Sequence, residues 1–483
     1  MKNVLMLIDG EEVSGSSGAT FERRNPLDGE VASRAPAATA EDARAAVRAA
    51  QLAFPAWSAM GPGERRRLLS RAADALEAKG DEFAAAMAAE TGASGMWAAF
   101  NVHLAADGLR EAAAMTTQIA GEIIPSDIPG SLAMAVRQAA GVVLGIAPWN
   151  APVILGVRAI ALPLACGNAV VLKASELCPA THALIAAALR DAGLPKGVVN
   201  FITNAPEDAG SIVRALIAEA AVRRVNFTGS TRVGKLIAAA CAEHLKPVVL
   251  ELGGKAPFLV LHDADLDAAV QAAAFGAFAN SGQICMSTER IIVDTKIADV
   301  FVDKLAAKAR SLPLGDPRRE AVVLGSIVDM STVTRCNAMI DDAMAKGATL
   351  VCGGKSTNTL MPATLLDHVT PDMLIYSEES FGPVKPIVRV DGDEAALACA
   401  NDNEYGLSSA IFSRDIARAM QIAKRIEAGI CHINGPTVHD EAQMPFGGVK
   451  GSGFGRFGGQ AGVAEFTDLR WLTVQTTPRH YPF

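Results

Sequence analysis

Gly141-Val-Val-Leu-Gly-Ile146-Ala-Pro-Trp-Asn150, followed by Ala169-Val-Val-Leu172-Lys-Ala-Ser-Glu176, decides how this chain is built. Each stretch opens with a short β-rich apolar run and ends in turn-forming or polar residues. An alanine- and leucine-rich helical pattern lies between them. The rhythm continues with apolar runs at Val198 to Ile202, Arg224 to Phe227 and Pro247 to Leu250. Strands that alternate with helices at this spacing predict a parallel sheet covered on both faces. A second series follows, with strands expected at Pro257 to Val260, Arg290 to Val293 and Pro386 to Arg389. Helices are expected at Leu266 to Asn280, Ala298 to Leu312, Asp341 to Lys346, Asp393 to Ala400 and Ile416 to Ile426. The fold class is therefore α/β, with a Rossmann-type parallel sheet and a second α/β unit.

Working outward, residues 41–119 read as helices, one opened by Glu41-Asp42 and another by Pro62-Gly63-Glu64. Val4 to Ile8 reads as a first strand with Asp9-Gly10 as a hairpin turn. Gly121 to Arg137 reads as an extended excursion. Glu465 to Gln475 alternates like a strand and could pair with that excursion or with another subunit. The boundaries expected are residues 1–120 and 138–250 for a first domain and 251–446 for a second. Residues 121–137 and 465–483 are expected to form a small β flap. Residues 447–464, rich in glycine, cross back to the first domain. That stretch lacks the G-K-[ST] ending and the strand–helix context of a phosphate loop, so it reads as a packed crossover.

The 483 residues exceed one ordinary core, and half of them are hydrophobic. Lysine and arginine number 44 against 52 acids, a net charge of −8, which leaves no basic stripe for nucleic acid. Ala139 to Val157 carries no charge and imitates a membrane span, but Pro148, Trp149, Asn150 and Pro152 sit within it. A buried strand, a sharp loop and a buried helix fit better than a lipid-exposed helix. No membrane association and no secretory signal are expected. The eight cysteines include no C-x-x-C spacing, so neither a metal site nor a redox pair is expected, and reduced thiols in a cytoplasm are.

Four constellations bear chemistry. Gly282-Gln-Ile-Cys285 puts a thiol on a loop after a helix, where it is either an accessible nucleophile or one more core thiol. Leu250-Glu251-Leu-Gly-Gly-Lys255 puts a carboxylate at the C-terminal end of a strand, as a general base or as an acceptor for nearby amides. Asn150, after Pro148-Trp149, could donate to an oxyanion or serve the turn. Lys173 and Glu176, with Gly229 and Ser230 at the start of a helix near Thr231, could hold a dinucleotide's ribose and pyrophosphate. No G-x-G-x-x-G fingerprint occurs anywhere.

Taken in order, Phe227-Thr-Gly-Ser230, Leu250 to Lys255, Gly282 to Cys285 and Glu378-Glu-Ser-Phe-Gly-Pro383 resemble the successive signatures of the aldehyde dehydrogenase superfamily. Pro148-Trp-Asn150, Lys173 to Glu176, Asn401-Asp…Tyr405-Gly-Leu407 and Pro445-Phe-Gly-Gly…Lys450-Gly-Ser-Gly453 match too, so the resemblance covers nearly the whole chain. It implies Cys285 as nucleophile, Glu251 as general base and Asn150 as oxyanion donor. It implies Pro148, Trp149, Lys173, Glu176, Gly229, Ser230, Glu379 and Phe381 as the cofactor site. Thr203 to Gly210 departs from the family's Gly-x-Gly, which leaves the loop over the adenine undefined.

NAD is favoured over NADP because Glu176 would repel a 2′-phosphate. Retention of Glu251 argues against the CoA-acylating semialdehyde dehydrogenases. Retention of both Cys285 and Glu251 argues against a non-catalytic binding or structural protein on this fold. Gly95-Met-Trp97 to Val102, Ile284 to Arg290, His432 to Gln443 and the terminal Tyr-Pro-Phe resemble the branch that oxidises salicylaldehyde and vanillin. Trp97, Trp149, Ile284, Met286 and Phe446 would then form a flat apolar slot for an aromatic aldehyde, with Arg158 to meet a ring hydroxyl. A homodimer or homotetramer is expected from the apolar final strand near Trp471.

Overall fold

The computed structural model describes residues 1–483. The run that opens the sequence argument forms the centre of an eight-stranded sheet. Val248–Glu251, Val222–Thr228, Val142–Ile146, Ala169–Lys173 and Val199–Ile202 lie side by side in that order, all parallel. Antiparallel strands close both edges. Gly453–Phe454 flanks Val248–Glu251, and the hairpin Met6–Ile8 with Glu11–Val13 flanks Val199–Ile202. The hairpin turn falls at Asp9-Gly10, both with positive φ (52° and 77°), the type I′ geometry that suits twisted strands.

Val142–Ile146 and Ala169–Lys173 are buried at every residue. Their side chains alternate between two separate cores. Val143, Val170 and Leu172 face one, which the helices of residues 95–115 and 179–191 complete. Leu144, Ile146 and Val171 face the other, against the helix Ala40–Ala59. A continuous apolar run is what burial on both faces requires.

The second sheet has seven strands: Thr349–Cys352, Thr364–Asp367, Val384–Val390, Thr288–Asp294, Ala256–Val260, Ala410–Phe412 and His432–Ile433. Only the first pair is antiparallel. It too separates two cores. A three-stranded antiparallel flap joins Thr467–Gln475, Ser131–Ala139 and Glu122–Ile124. The final strand thus pairs with the excursion along nine residues, Thr467 opposite Ala139 to Gln475 opposite Ser131. The charge-free window resolves into Val142–Ile146, a loop and the helix Pro152–Arg158. No helix is long and apolar enough to cross a membrane.

Several elements differ from the sequence reading, among them the helix expected at Ile416 to Ile426, which ends at Ala423. The helix expected at Asp341 to Lys346 runs from Met330 to Ala345, capped by the Asp329 carboxylate on Thr332 N–H at 2.8 Å. Its first turn holds Thr332, Val333 and Thr334, whose β-branches disguise it; the cap and the buried stripe Val333, Cys336, Met339, Ile340 outweigh that propensity. The helix expected to reach Asn280 ends at Phe278. Glu465 ends a short helix, Gly459–Glu465, before the last strand begins at Thr467.

Candidate active site

Parallel strands deliver their C-terminal ends to one edge of the sheet, where ligands gather in open α/β folds. The register is direct. Glu251 lies opposite Thr228, Phe227 opposite Ile146, Ile146 opposite Lys173, and Lys173 opposite Ile202. The residues that follow these positions are Gly229-Ser230, Pro148 to Asn150, Ala174 to Glu176 and Thr203-Asn204. They form a row about 14 Å long, three inter-strand spacings of about 4.8 Å.

A cleft of about 740 Å³ opens between the two sheets. Trp149, Asn150, Ser230, Glu251, Cys285 and Phe381 lie on its wall, together with Pro148, Gly229 and Glu379. Trp149 and Phe381 meet edge to face with centroids 5.7 Å apart. Lys173 and Glu176 lie beyond that wall, further along the row. They form an ion pair, and Asn204 Nδ2 also donates to Glu176 at 2.8 Å. Asn204 Oδ1 is buried without a partner. Ser230 Oγ caps the helix Thr231–Glu243 by accepting from Val233 N–H.

Cys285 is the one half-exposed thiol in the cleft. Its loop is held on both sides. After Phe278 the chain makes three successive left-handed residues, Asn280 (47°), Ser281 (56°) and Gly282 (74°). Gly282 has no alternative, because a Cβ there would lie 2.2 Å from the Gly382 carbonyl oxygen. Gln283 donates to the Asn280 and Ser326 carbonyls and accepts from Val328 N–H at 2.9 Å. Gly254 lets the loop after Glu251 pass close to the Cys285 backbone, since a Cβ there would come 2.5 Å from the Cys285 carbonyl oxygen.

Asn150 is buried, and its amide donates to the Gln283 carbonyl at 3.0 Å. Its own carbonyl accepts from Trp97 Nε1 at 2.9 Å and from Asn280 Nδ2 at 3.0 Å. Glu251 is 1% exposed, and neither carboxylate oxygen has a hydrogen-bond partner. Burial pushes its pKa up to about 7, against the pull of Arg158 and the Cys285 thiol. Burial and the adjacent Glu251 charge push the Cys285 thiol well above its usual range. At neutral pH the pair holds the thiol proton, with Glu251 poised to take up a second one.

Glu379 and Phe381 belong to a segment fastened by a buried ion cluster. The Glu289 carboxylate accepts from Lys255 Nζ (2.9 Å), Lys385 Nζ (2.6 Å), Ser380 N–H (2.9 Å) and Ser380 Oγ (2.6 Å). Lys255 also donates to the Glu378 carbonyl at 2.6 Å. Burial would raise Glu289, but the two lysines hold it down at about 2. Phe381 is kept at φ 44°, in the left-handed region. Burial, then the Glu289 charge, pushes Glu379 up to about 7 although Gly254 N–H donates to it at 2.9 Å.

Of the residues expected at the slot, Trp149 lines the cleft, whereas Arg158 and Phe446 line a second, smaller cavity of about 60 Å³. Arg158 is ion-paired with Asp440 and its guanidinium lies 4.2 Å from the Phe446 ring centroid. Trp97, Ile284 and Met286 line neither cavity; they are buried in the apolar cluster against which Cys285 packs. Sequence reasoning missed Glu289, Lys385, Asn204 and Asp440. Glu289 and Asp440 sat inside quoted motifs, but nothing in their spacing says which charges they meet.

Between the two α/β sheets, one cleft thus brings together a thiol and a buried carboxylate. The sequence model of the aldehyde dehydrogenase family matches residues 13–472, and the chain belongs to that family. Membership implies a nicotinamide cofactor and an aldehyde substrate. A protein named vanillin dehydrogenase from a Pseudomonas species is 64% identical over 482 residues, all of both chains. One named salicylaldehyde dehydrogenase, from another Pseudomonas strain, is 50% identical over 479 residues, 99% of each chain. The crystal structure of a salicylaldehyde dehydrogenase from Pseudomonas putida, complexed with salicylaldehyde, superposes with a TM-score of 0.98 at 50% identity and covers each chain in full.

Proposed function

We propose that this enzyme oxidises an aromatic aldehyde of the salicylaldehyde, vanillin or benzaldehyde type to its carboxylic acid with NAD, through a thioester on Cys285. One observation carries the chemistry. Glu251, buried and without a partner, faces the half-exposed Cys285 in one cleft, with Asn150 beside it.

Glu251 takes the thiol proton as the sulfur attacks the aldehyde carbon. Asn150 Nδ2 and a backbone amide hold the oxyanion. A bound nicotinamide supplies the hydride acceptor. Glu251, after passing its proton to solvent, takes one from the water that hydrolyses the thioester. Lys173 and Glu176 would hold the adenosine ribose, and Gly229 and Ser230 the pyrophosphate at a helix N-terminus. Pro148 and Trp149 would form the wall of that site, Glu379 would hold the second ribose and Phe381 would pack near the nicotinamide.

The fit rests on the row of strand ends and on Asn204 Oδ1, a buried acceptor beside Glu176 that lacks a donor. NAD is preferred over NADP because Lys173 is already engaged by Glu176, leaving a carboxylate to meet a 2′-phosphate. Hydrolysis rather than CoA transfer is favoured by the retained Glu251.

The aromatic substrate is supported by the names of the relatives, and Trp97, Ile284, Met286 and Phe446 would act from behind the cleft wall, through the apolar cluster against which Cys285 packs. Arg158, beside Phe446, would meet a ring hydroxyl. Exposed Ile123, Leu469 and Trp471 on the flap support a homodimer or homotetramer, and sedimentation would tell them apart. Eight unpaired cysteines agree with a cytoplasmic setting. The deciding measurement is NADH formation across aromatic and short aliphatic aldehydes, with NAD and NADP. Aromatic aldehydes should lead in kcat/KM and NAD should exceed NADP. An aliphatic preference would refute the substrate class, and full activity of Cys285→Ala would refute the mechanism.

A further inference from the structure

His182 lies in the helix Pro179–Asp191, fully buried behind the sheet edge just described. The Ser175 backbone N–H donates to its Nδ1 at 3.1 Å. A backbone N–H can only donate, so Nδ1 carries no proton. Burial holds the ring neutral, with its pKa down at about 4, so the single proton sits on Nε2. Nε2 lies 3.1 Å from the Pro152 carbonyl and donates to it. Ser175 stands between Lys173 and Glu176. Pro152 begins the helix Pro152–Arg158, two residues past Asn150. The ring is confined sideways as well: a Cβ on Gly156 would come 3.3 Å from His182 Cδ2.

We propose that His182 is a positioning residue that ties the ribose loop at Ser175 to the oxyanion loop at Pro152, each through one ring nitrogen. The inference rests on the reading of those two loops given under Proposed function. It goes beyond that reading by assigning a residue that touches neither substrate nor cofactor. Each nitrogen serves one loop, so the two services can be removed separately. The Asn Oδ1 reaches the place of Nδ1 and can still accept from Ser175, whereas no atom reaches Pro152. The Gln Nε2 reaches the place of Nε2 and can still donate to Pro152, whereas Ser175 N–H is left without an acceptor.

Loss of one buried hydrogen bond is expected to change the associated equilibrium or rate by about tenfold. In His182→Gln, the dissociation constant for NADH, read by fluorescence titration, should rise about tenfold, with the single-turnover acylation rate within about twofold of wild type. In His182→Asn, NADH affinity should stay within about twofold and acylation should slow about tenfold. His182→Leu should lose both. A merely structural role would lower Tm and move both readouts together in both variants, and that result overturns the inference. Wild-type behaviour of both variants overturns it as well. Glu176→Ala separates this from failure of the underlying reading. Unchanged NADH affinity in Glu176→Ala refutes the ribose assignment and the inference with it. A weakened Glu176→Ala beside an unaffected His182→Gln refutes the inference alone.

Discussion

Glu251 and Glu289 are both 1% exposed, yet the protein treats them in opposite ways. Glu289 accepts four hydrogen bonds, two from buried lysines, and stays ionised with a pKa of about 2. Glu251 accepts none and is pushed up to about 7. Burial disfavours both carboxylates, so the difference lies in the company. The satisfied glutamate builds the frame that holds Glu379 and Phe381. The unsatisfied one is left with its proton affinity near neutrality, which is what a general base needs.

The largest effect should come from the unsatisfied member. Glu251→Gln keeps the shape and removes the base, and turnover should fall about 10²–10⁴-fold. Rapid-quench measurement should show both formation and hydrolysis of the acyl-enzyme slowed; unchanged turnover would end the assignment. The same substitution should not weaken the fold. Glu251 binds its proton more tightly folded than unfolded, so it draws stability from the native state as pH rises from about 4.5 to about 7. Above pH 7 Glu251→Gln should therefore melt at or above the wild-type Tm, and below about pH 4.5 that gain should vanish.

Glu289→Gln should do the reverse. It leaves two buried lysines facing a neutral amide and should cost about 3–5 kcal/mol in a denaturant titration. Glu289 is depressed in the folded state, so its stabilisation is present above about pH 4.5 and lost as pH falls toward 2. A loss below about 1 kcal/mol would mean that the cluster does not hold the segment.

The two glutamates should also separate in pH profiles. With Glu251 as the base, kcat/KM should rise about tenfold per unit below pH 7 and level above it, and Glu251→Gln should abolish that limb. A limb near pH 5 would place the titrating group elsewhere. A smaller effect tests the support of the oxyanion donor. Trp97→Phe removes one of two donors to the Asn150 carbonyl and should slow acylation about fivefold, roughly 1 kcal/mol. If only aromatic-aldehyde affinity changed, Trp97 would act on the substrate alone.

Much of the frame was legible in the chain. Parallel strands buried on both faces read as apolar runs, and Val142–Ile146 and Ala169 to Leu172 announce themselves in this way. Asp9-Gly10 marks its hairpin because only such residues accept two positive φ angles in succession. The helix Met330–Ala345 was half hidden, since its cap and buried stripe act through contacts that a propensity reading does not weigh. Cys285, Glu251 and Asn150 could be named from their motifs, but each kept a plain structural alternative there. Trp97 was read as a slot wall, whereas its indole N–H is spent on the Asn150 carbonyl.

The sequence by itself determined the alternation of strands and helices, because side-chain periodicity is local and repeats along the chain. It also determined which residue types stand at the strand ends, since those loops directly follow recognisable runs. Only the tertiary structure decided which buried glutamate is paired and which is not. Lys255, Lys385 and Ser380 come to Glu289 from separate places in the chain, while Glu251 is left without a hydrogen-bond partner. Proton affinity depends on that three-dimensional company, falling steeply with distance in a low-dielectric interior. The same is true of His182, whose two partners lie seven and thirty residues away and meet only across the packed sheet edge.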